Sequence, residues 1–301
     1  MISLIVCSVN PLMLEEFKQN VRETIGVENE IIVFDNRNKH WGLCKVYNYC
    51  MKNAQYPYLC FVHEDMYFFT KNWGKILIDF FSNTPKCGVI GFAGANYIDR
   101  TFVQWKIDRS ISRVHTCISP KKELPVDYDL LNRFYNCTKD FERVIVLDGM
   151  FLFTSKDVAT SCQFDEAMLD NFHIYDTDFT FSVSKKYNNY VCSKIDNMHR
   201  SHSSFSKSYL EGLMAFHEKR RKEIPCSIYH VGKLHSWLIK NHEILEFSAS
   251  LKSNSYTEEQ QKFFMDKFYS NFRVNNLHII INYVYGKIMN IKIRKIRHFS
   301  N

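Results

Sequence analysis

The chain predicts an α/β fold, a mostly parallel sheet flanked by helices with a helical C-terminal extension. Three observations carry that expectation. Short apolar runs alternate with amphipathic stretches of helical period over the first ninety residues. Several of these runs stop abruptly at polar residues, as buried strands do where they reach the rim of a sheet. A composition 46% hydrophobic and 15% aromatic over 301 residues supplies enough core for one large domain with an appendage.

Ser3 to Cys7 reads as the first strand, and Pro11 suits the first turn of a helix running to about Thr24. Glu30 to Phe34 is a second strand, ending at Asp35-Asn36. Trp41 to Ala54 reads as a helix with Leu43, Val46, Tyr47 and Met51 on one face. Tyr58 to Val62 is a third strand, Trp73 to Phe81 a helix, and Cys87 to Phe92 a fourth strand. From Asn96 to Glu142 the periodicity weakens, and Pro120-Lys121-Lys122 and Pro125 punctuate an irregular insertion, either a binding loop or surface decoration. Val144 to Leu147 is a strand ending at Asp148-Gly149. Tyr175-Asp176-Thr177-Asp178 opens a helix to about Tyr187, since acids suit a first turn. Tyr190 to Ile195 is a further strand, leading into His199 and His202. Helices are expected over Tyr209–Lys222, Val231–Glu246 and Thr257–Phe272.

Several function classes are disfavoured. No glycine-rich dinucleotide turn follows the first strand, and no P-loop is present. Ten scattered cysteines without a C-x-x-C pair suit reduced thiols in a cytoplasm better than a disulfide scaffold or a zinc module. The N-terminus reads as a strand without a basic leader, and no segment offers the roughly 20 apolar residues of a membrane span. The net charge of +7 is concentrated at the end, where Lys287, Lys292, Arg294, Lys295, Arg297 and His298 interleave with isoleucines. That tail reads as a helix packed on the core or as a surface for an anionic membrane. No recognition motif accompanies the charge, so no nucleic-acid partner is expected. Trp41, Trp73 and Trp105 read as core or surface aromatics, with sugar stacking as the alternative.

Ser8, Asn10, Asp35, Glu64 and Asp65 all follow strands and should collect on one sheet edge, where open α/β sheets bind ligands. Two adjacent acids there can hold a divalent cation, and a cation can hold a pyrophosphate.

Taken in order, Ser8 and Asn10, Asp35-Asn36, Asn48, His63-Glu64-Asp65, Asp148-Gly149, Phe164-Asp165-Glu166, Asp176-x-Asp178 and His199/His202 form a pattern over about Met1 to Phe205. It resembles the GT-A glycosyltransferases of family two, in the bacterial branch whose Asp-x-Asp reads His-Glu-Asp. One departure is Tyr175, where many relatives carry a glutamate before the aspartate. The resemblance implies a nucleotide-sugar-binding catalytic domain over 1–205 and a helical C-terminal region over 206–301 with the basic tail. It implies Asp176 as the general base of an inverting transfer. Asp65 would hold Mn²⁺ or Mg²⁺, with His199 or His202 completing the sphere. Ser8, Asn10, Asp35, Asn48, Glu64, Asp148 and Gly149 would contact the donor, Glu64 at the ribose. The donor would be UDP-linked, and the acceptor a surface glycan or lipid-linked glycan such as a lipooligosaccharide at the inner membrane face. A zinc site from His199 and His202 is disfavoured, because no third ligand lies nearby in sequence. A non-catalytic nucleotide- or glycan-binding module on the same fold is the alternative, ahead of a nucleotidyltransferase.

Overall fold

The computed structural model describes residues 1–101, 110–119, 131–167, 173–200, 206–254 and 256–272. Trp105, the Pro120 to Pro125 stretch, His202 and the basic tail lie outside the described residues.

The chain opens with β1 (Ile2–Ser8), α1 (Pro11–Thr24), β2 (Asn29–Asp35), α2 (Leu43–Met51), β3 (Tyr58–Val62), β4 (Met66–Phe68) and α3 (Trp73–Asn83). Next come β5 (Cys87–Gly91), β6 (Ala93–Ala95), β7 (Tyr97–Ile98), β8 (Ser112–Ile118), β9 (Asn132–Tyr135), β10 (Phe141–Val144), β11 (Val146–Leu147) and β12 (Phe151–Ser155). Then follow α4 (Lys156–Cys162), α5 (Tyr175–Ser184), β13 (Asn188–Cys192), β14 (Asn197–His199), α6 (Lys207–Arg220), β15 (Cys226–Ser227), α7 (Lys233–Ser253) and α8 (Glu258–Phe272). No helix among the described residues is long and apolar enough to cross a membrane.

The main sheet has seven strands in the order β10-β13-β5-β12-β3-β1-β2. Five of them, β13, β5, β3, β1 and β2, run one way, while β12 and β10 run against their neighbours. The sheet is therefore mixed within a mostly parallel plan. The reversal of β12 decides where the site forms. Phe151 pairs with Val62 at the last residue of β3, so the start of β12 meets the end of β3. Asp148-Gly149 thus reaches the ligand edge as the lead-in to a reversed strand, and not as the tail of a forward one.

Two apolar clusters flank the sheet because alternate strand residues face opposite sides. Ile5, Leu59, Phe61 and Leu152 face α2, α5 and the C-terminal helices, whose Leu210, Phe216, Ile244, Phe247 and Phe268 join the same cluster. Leu4, Val6, Cys60 and Val62 face α1 and α3, meeting Phe17, Val21 and Trp73. Trp73 is wholly buried and donates its indole N–H to Thr24, which makes it a core residue. Trp41 packs its ring against Phe34 and Tyr49 beside the end of β2.

The expected irregular insertion after Asn96 contains strands instead. A second sheet of six strands runs β11-β6-β8-β14-β4, with β9 on the side of β8. Apolar periodicity misses it because its buried positions are partly polar. Ser112 and Thr116 of β8 are almost fully buried. The Thr116 hydroxyl donates to Asn197 at 2.6 Å, and Asn197 donates to the His115 carbonyl, so the polar groups are satisfied inside the sheet. The expected strand over Val144–Leu147 is divided between β10 and β11, in two different sheets.

Candidate active site

The end of β1 is held by the middle residue of His63-Glu64-Asp65. Glu64 is 7% exposed. One of its oxygens accepts the backbone N–H of Val9 and Asn10 at 3.0 Å each, and the other accepts the Ser8 hydroxyl at 2.6 Å. Asn10 caps α1, accepting the Met13 N–H, with Pro11 at the first helical position. Ser8, Asn10 and Glu64, all expected to contact the donor, thus brace the loop after β1 with their own side chains. Replacing Glu64 by alanine strands these donors and should lower the unfolding free energy by about 1–3 kcal/mol. Glu64→Gln, which keeps one acceptor, should lose less in denaturant titrations. Equal losses in the two variants would show that the hydrogen bonds are not the cause.

Asp35 sits exposed at the end of β2, where the Arg37 guanidinium chelates it and lowers its carboxyl to about 2. Its neighbour Asn36 is buried, its N–H donating to the Ser8 carbonyl while its side chain clasps the backbone of Trp41. Asn48 is placed differently from the expectation. Its amide accepts the Phe164 N–H and donates to the Phe164 carbonyl and to Glu166. It joins α2 to the loop before α5.

At the end of β3 the His63 N–H donates to the Met150 carbonyl, tying the motif to the lead-in of β12. The chain turns into β4, where Met66 pairs with His199 of β14, and the Arg200 N–H donates to the Asp65 carbonyl. This antiparallel pair carries His199 to the acid: its Nε2 lies 3.2 Å from Asp65 Oδ1 and 3.5 Å from His63 Nδ1. Donor atoms of His63, Asp65 and His199 all lie within 4.8 Å of one another. Burial disfavours the Asp65 charge, but the imidazoles of His199 and His63 outweigh it and lower the carboxyl to about 2. Burial pushes the His63 imidazole below its ordinary value. An ionised Asp65 beside a His63 whose charged form burial disfavours suits a cation site, since metal ligands bind deprotonated. Two imidazole nitrogens and a carboxylate form a donor set that can hold a divalent cation. The ligands absent from the sequence neighbourhood of His199 are thus supplied by the β3 end. His63 was not among the expected ligands, although it begins the motif.

The third part of the site is built on Gly149. The Asp148 carboxylate accepts the Met150 N–H at 3.0 Å, forming the turn into β12. The Gly149 N–H donates to Asp176 Oδ2 at 2.6 Å, and its carbonyl accepts the Tyr175 hydroxyl at 3.1 Å. A Cβ at Gly149 would overlap that hydroxyl, so the close approach admits only glycine. The helix bearing Tyr175 and Asp176 starts from Ile174 in the left-handed conformation, at φ 65°, a strained state for a β-branched residue costing about 1–2 kcal/mol.

Asp176 keeps a window to solvent but is closely surrounded by protein. Burial first, and the neighbouring charge of Asp148 second, raise its carboxyl to about 7 despite the N–H groups of Thr177 and Gly149. Asp178, two residues on, is buried and bound to Lys219 and Arg220. It anchors α6 and is turned away from Gly149.

A family model described as "Glycosyltransferase like family" matches residues 3–224. No curated protein matches the sequence. Among solved structures, S. aureus TarS 1–349 is similar with a TM-score of 0.53 at 14% identity, covering 90% of this chain and 80% of that one. The same TarS fragment in complex with UDP-GlcNAc gives a TM-score of 0.53 at 14% identity, covering 90% and 81%. A longer S. aureus TarS structure also gives 0.53 at 14% identity, covering 92% of this chain and 50% of that one. At such identities the likeness establishes a shared fold.

Proposed function

The chain belongs to the glycosyltransferase-like family, and from that premise we propose that it transfers a sugar from a UDP-linked donor to a hydroxyl acceptor, with inversion. The observation that carries this reading is a continuous line of contacts at the sheet edge. The cation-ligand triad His63, Asp65 and His199 connects through Tyr175 and Gly149 to Asp176. A leaving-group site and a proton acceptor at that spacing are the two parts that glycosyl transfer needs.

Asp176 is the general base. A carboxyl raised to about 7 takes a proton effectively near neutral pH. As the acceptor oxygen bonds to the anomeric carbon, its proton passes to Asp176, and the bond from that carbon to the phosphate oxygen breaks. The nucleoside diphosphate departs with the electron pair. His63, Asp65 and His199 would hold a divalent cation, which we take to be Mn²⁺, and such an ion would supply charge stabilisation for a departing pyrophosphate. Two backbone N–H groups keep the base carboxylate oriented, and Glu64 holds the β1 loop under the nucleotide. The TarS fragment of similar fold is in complex with UDP-GlcNAc, which supports a uridine donor carrying a hexose or N-acetylhexosamine. We assign the donor and base sites to 1–205 and acceptor recognition to 206–301, whose basic tail suits a lipid-linked glycan at an anionic surface.

Calorimetry with UDP, GDP and CMP, with and without Mn²⁺, tests the reading. UDP should bind only when Mn²⁺ is present, and UDP-sugar should then be turned over slowly to UDP in the absence of acceptor. Failure of every nucleotide to bind with any divalent ion would overturn it. Tight UDP binding with no turnover on any acceptor glycan would favour a binding module.

A further inference from the structure

Tyr175 occupies a position that the metal-site and base assignments leave without a role. Its ring is buried, edge-on to Tyr47 with centroids 5.6 Å apart. Its hydroxyl meets the Gly149 carbonyl at 3.1 Å and His63 Nε2 at 2.9 Å, with the Tyr47 hydroxyl as a further neighbour. A phenol has one proton to give. With that proton given to the Gly149 carbonyl, which can only accept, the contact with His63 uses an Nε2–H on the imidazole. A neutral imidazole carrying its proton on Nε2 has a bare lone pair on Nδ1. That Nδ1 is the atom facing His199 Nε2 and Asp65.

We propose that Tyr175 is a positioning residue that locks His63 in the Nε2–H tautomer, so that Nδ1 is presented as a ligand to the divalent cation. The inference rests on the metal site proposed above and deepens it. Histidine ligands in metal sites commonly have their second nitrogen fixed by an outer hydrogen bond, and losing that partner typically costs 10–100-fold in affinity. Here the outer partner is itself oriented by a carbonyl, so the tautomer is set two hydrogen bonds back from the ligand atom. Without the hydroxyl, His63 is free to move its proton to Nδ1 and donate towards His199, which fills the ligand position with hydrogen. Because Tyr175 precedes Asp176, the same helix start holds both faces of Gly149. One residue takes the carbonyl, and the next takes the N–H.

Two measurements test this, neither of which uses turnover. Long-range ¹⁵N–¹H correlation on histidine-labelled metal-free protein at pH 8 should show His63 as the Nε2–H tautomer. Free Mn²⁺ followed by electron paramagnetic resonance should give a dissociation constant about 10–100-fold higher for Tyr175→Phe than for wild type. In the His63→Ala background, the same Tyr175→Phe change should cost no further affinity, an outcome that a merely structural tyrosine would not produce. An Nδ1–H tautomer in the wild type overturns the inference, and that spectrum does not depend on any variant folding. Wild-type Mn²⁺ binding matched by Tyr175→Phe overturns the inference alone. Absence of Mn²⁺ binding by the wild type overturns the metal site, and the inference falls with it.

Discussion

Asp176→Asn is expected to lower turnover by about 10²–10⁴-fold, the usual contribution of a positioned general base. The change is nearly isosteric, and the side-chain carbonyl that it introduces can still accept one of the two N–H groups now bound by Asp176. The new amide cannot take a proton from an acceptor hydroxyl. Donor affinity should therefore persist while turnover collapses, and a UDP titration beside the rate measurement separates the two. The base works only when ionised, so the sign of the pH dependence follows. Below about 7 the rate should fall roughly tenfold per pH unit, and above it the rate should level off. Burial and the charge of Asp148 are the two causes that raise this carboxyl, burial being the larger. Asp148→Asn removes the second cause, so the acid limb of the profile should move to lower pH, by about one unit for a close carboxylate neighbour. A limb that stays in place in Asp148→Asn and persists in Asp176→Asn would assign the titration to another group.

The second large effect is expected at Asp65. Asp65→Ala leaves two imidazoles and no anionic ligand, and Mn²⁺ binding should be lost at micromolar concentration. Lewis-acid stabilisation of a developing pyrophosphate is worth several kcal/mol, so turnover should fall by about 10³-fold or more. The fold should survive, because the bond that Asp65 makes to Arg200 runs through its backbone carbonyl. Metal titration of the purified variant checks this directly. Retained Mn²⁺ affinity in Asp65→Ala would remove Asp65 from the ligand set.

Much of the frame was legible in the chain. The Asn10-Pro11 start of α1 and the apolar run of β3 announced themselves through capping chemistry and hydrophobicity, and their bounds agree with the structure. The polar ends of β1, β2 and β3 do collect along one edge, since these strands are parallel neighbours. Less legible was anything decided by pairing across distant parts of the chain. The reversal of β12 depends on Phe151–Ser155 inserting between β3 and β5, and the local pattern there carries no direction. The second sheet stayed hidden because Ser112, Thr116 and Asn197 fill buried places that periodicity reserves for apolar residues. His63 was visible as part of a motif, but its approach to His199 comes from the β4–β14 pairing, 136 residues apart in sequence. Tyr175 stood out only as a departure, and its contacts with Gly149 and His63 are a matter of packing.

The pairing of Met66 with His199 has a thermodynamic side as well. The three ligand atoms come from the carboxyl edge of one sheet and the last residue of a strand in another. A cation gripped by them would act as a rivet between the two sheets, beside the backbone bond from Arg200 to Asp65. Whatever binds the folded arrangement and not the unfolded chain adds its binding free energy to conformational stability, about 2.7 kcal/mol at a hundredfold excess over the dissociation constant. The melting point of this protein would then rise with the free divalent cation around it. In a cell, the supply of that ion would govern how long the enzyme endures as well as how fast it works.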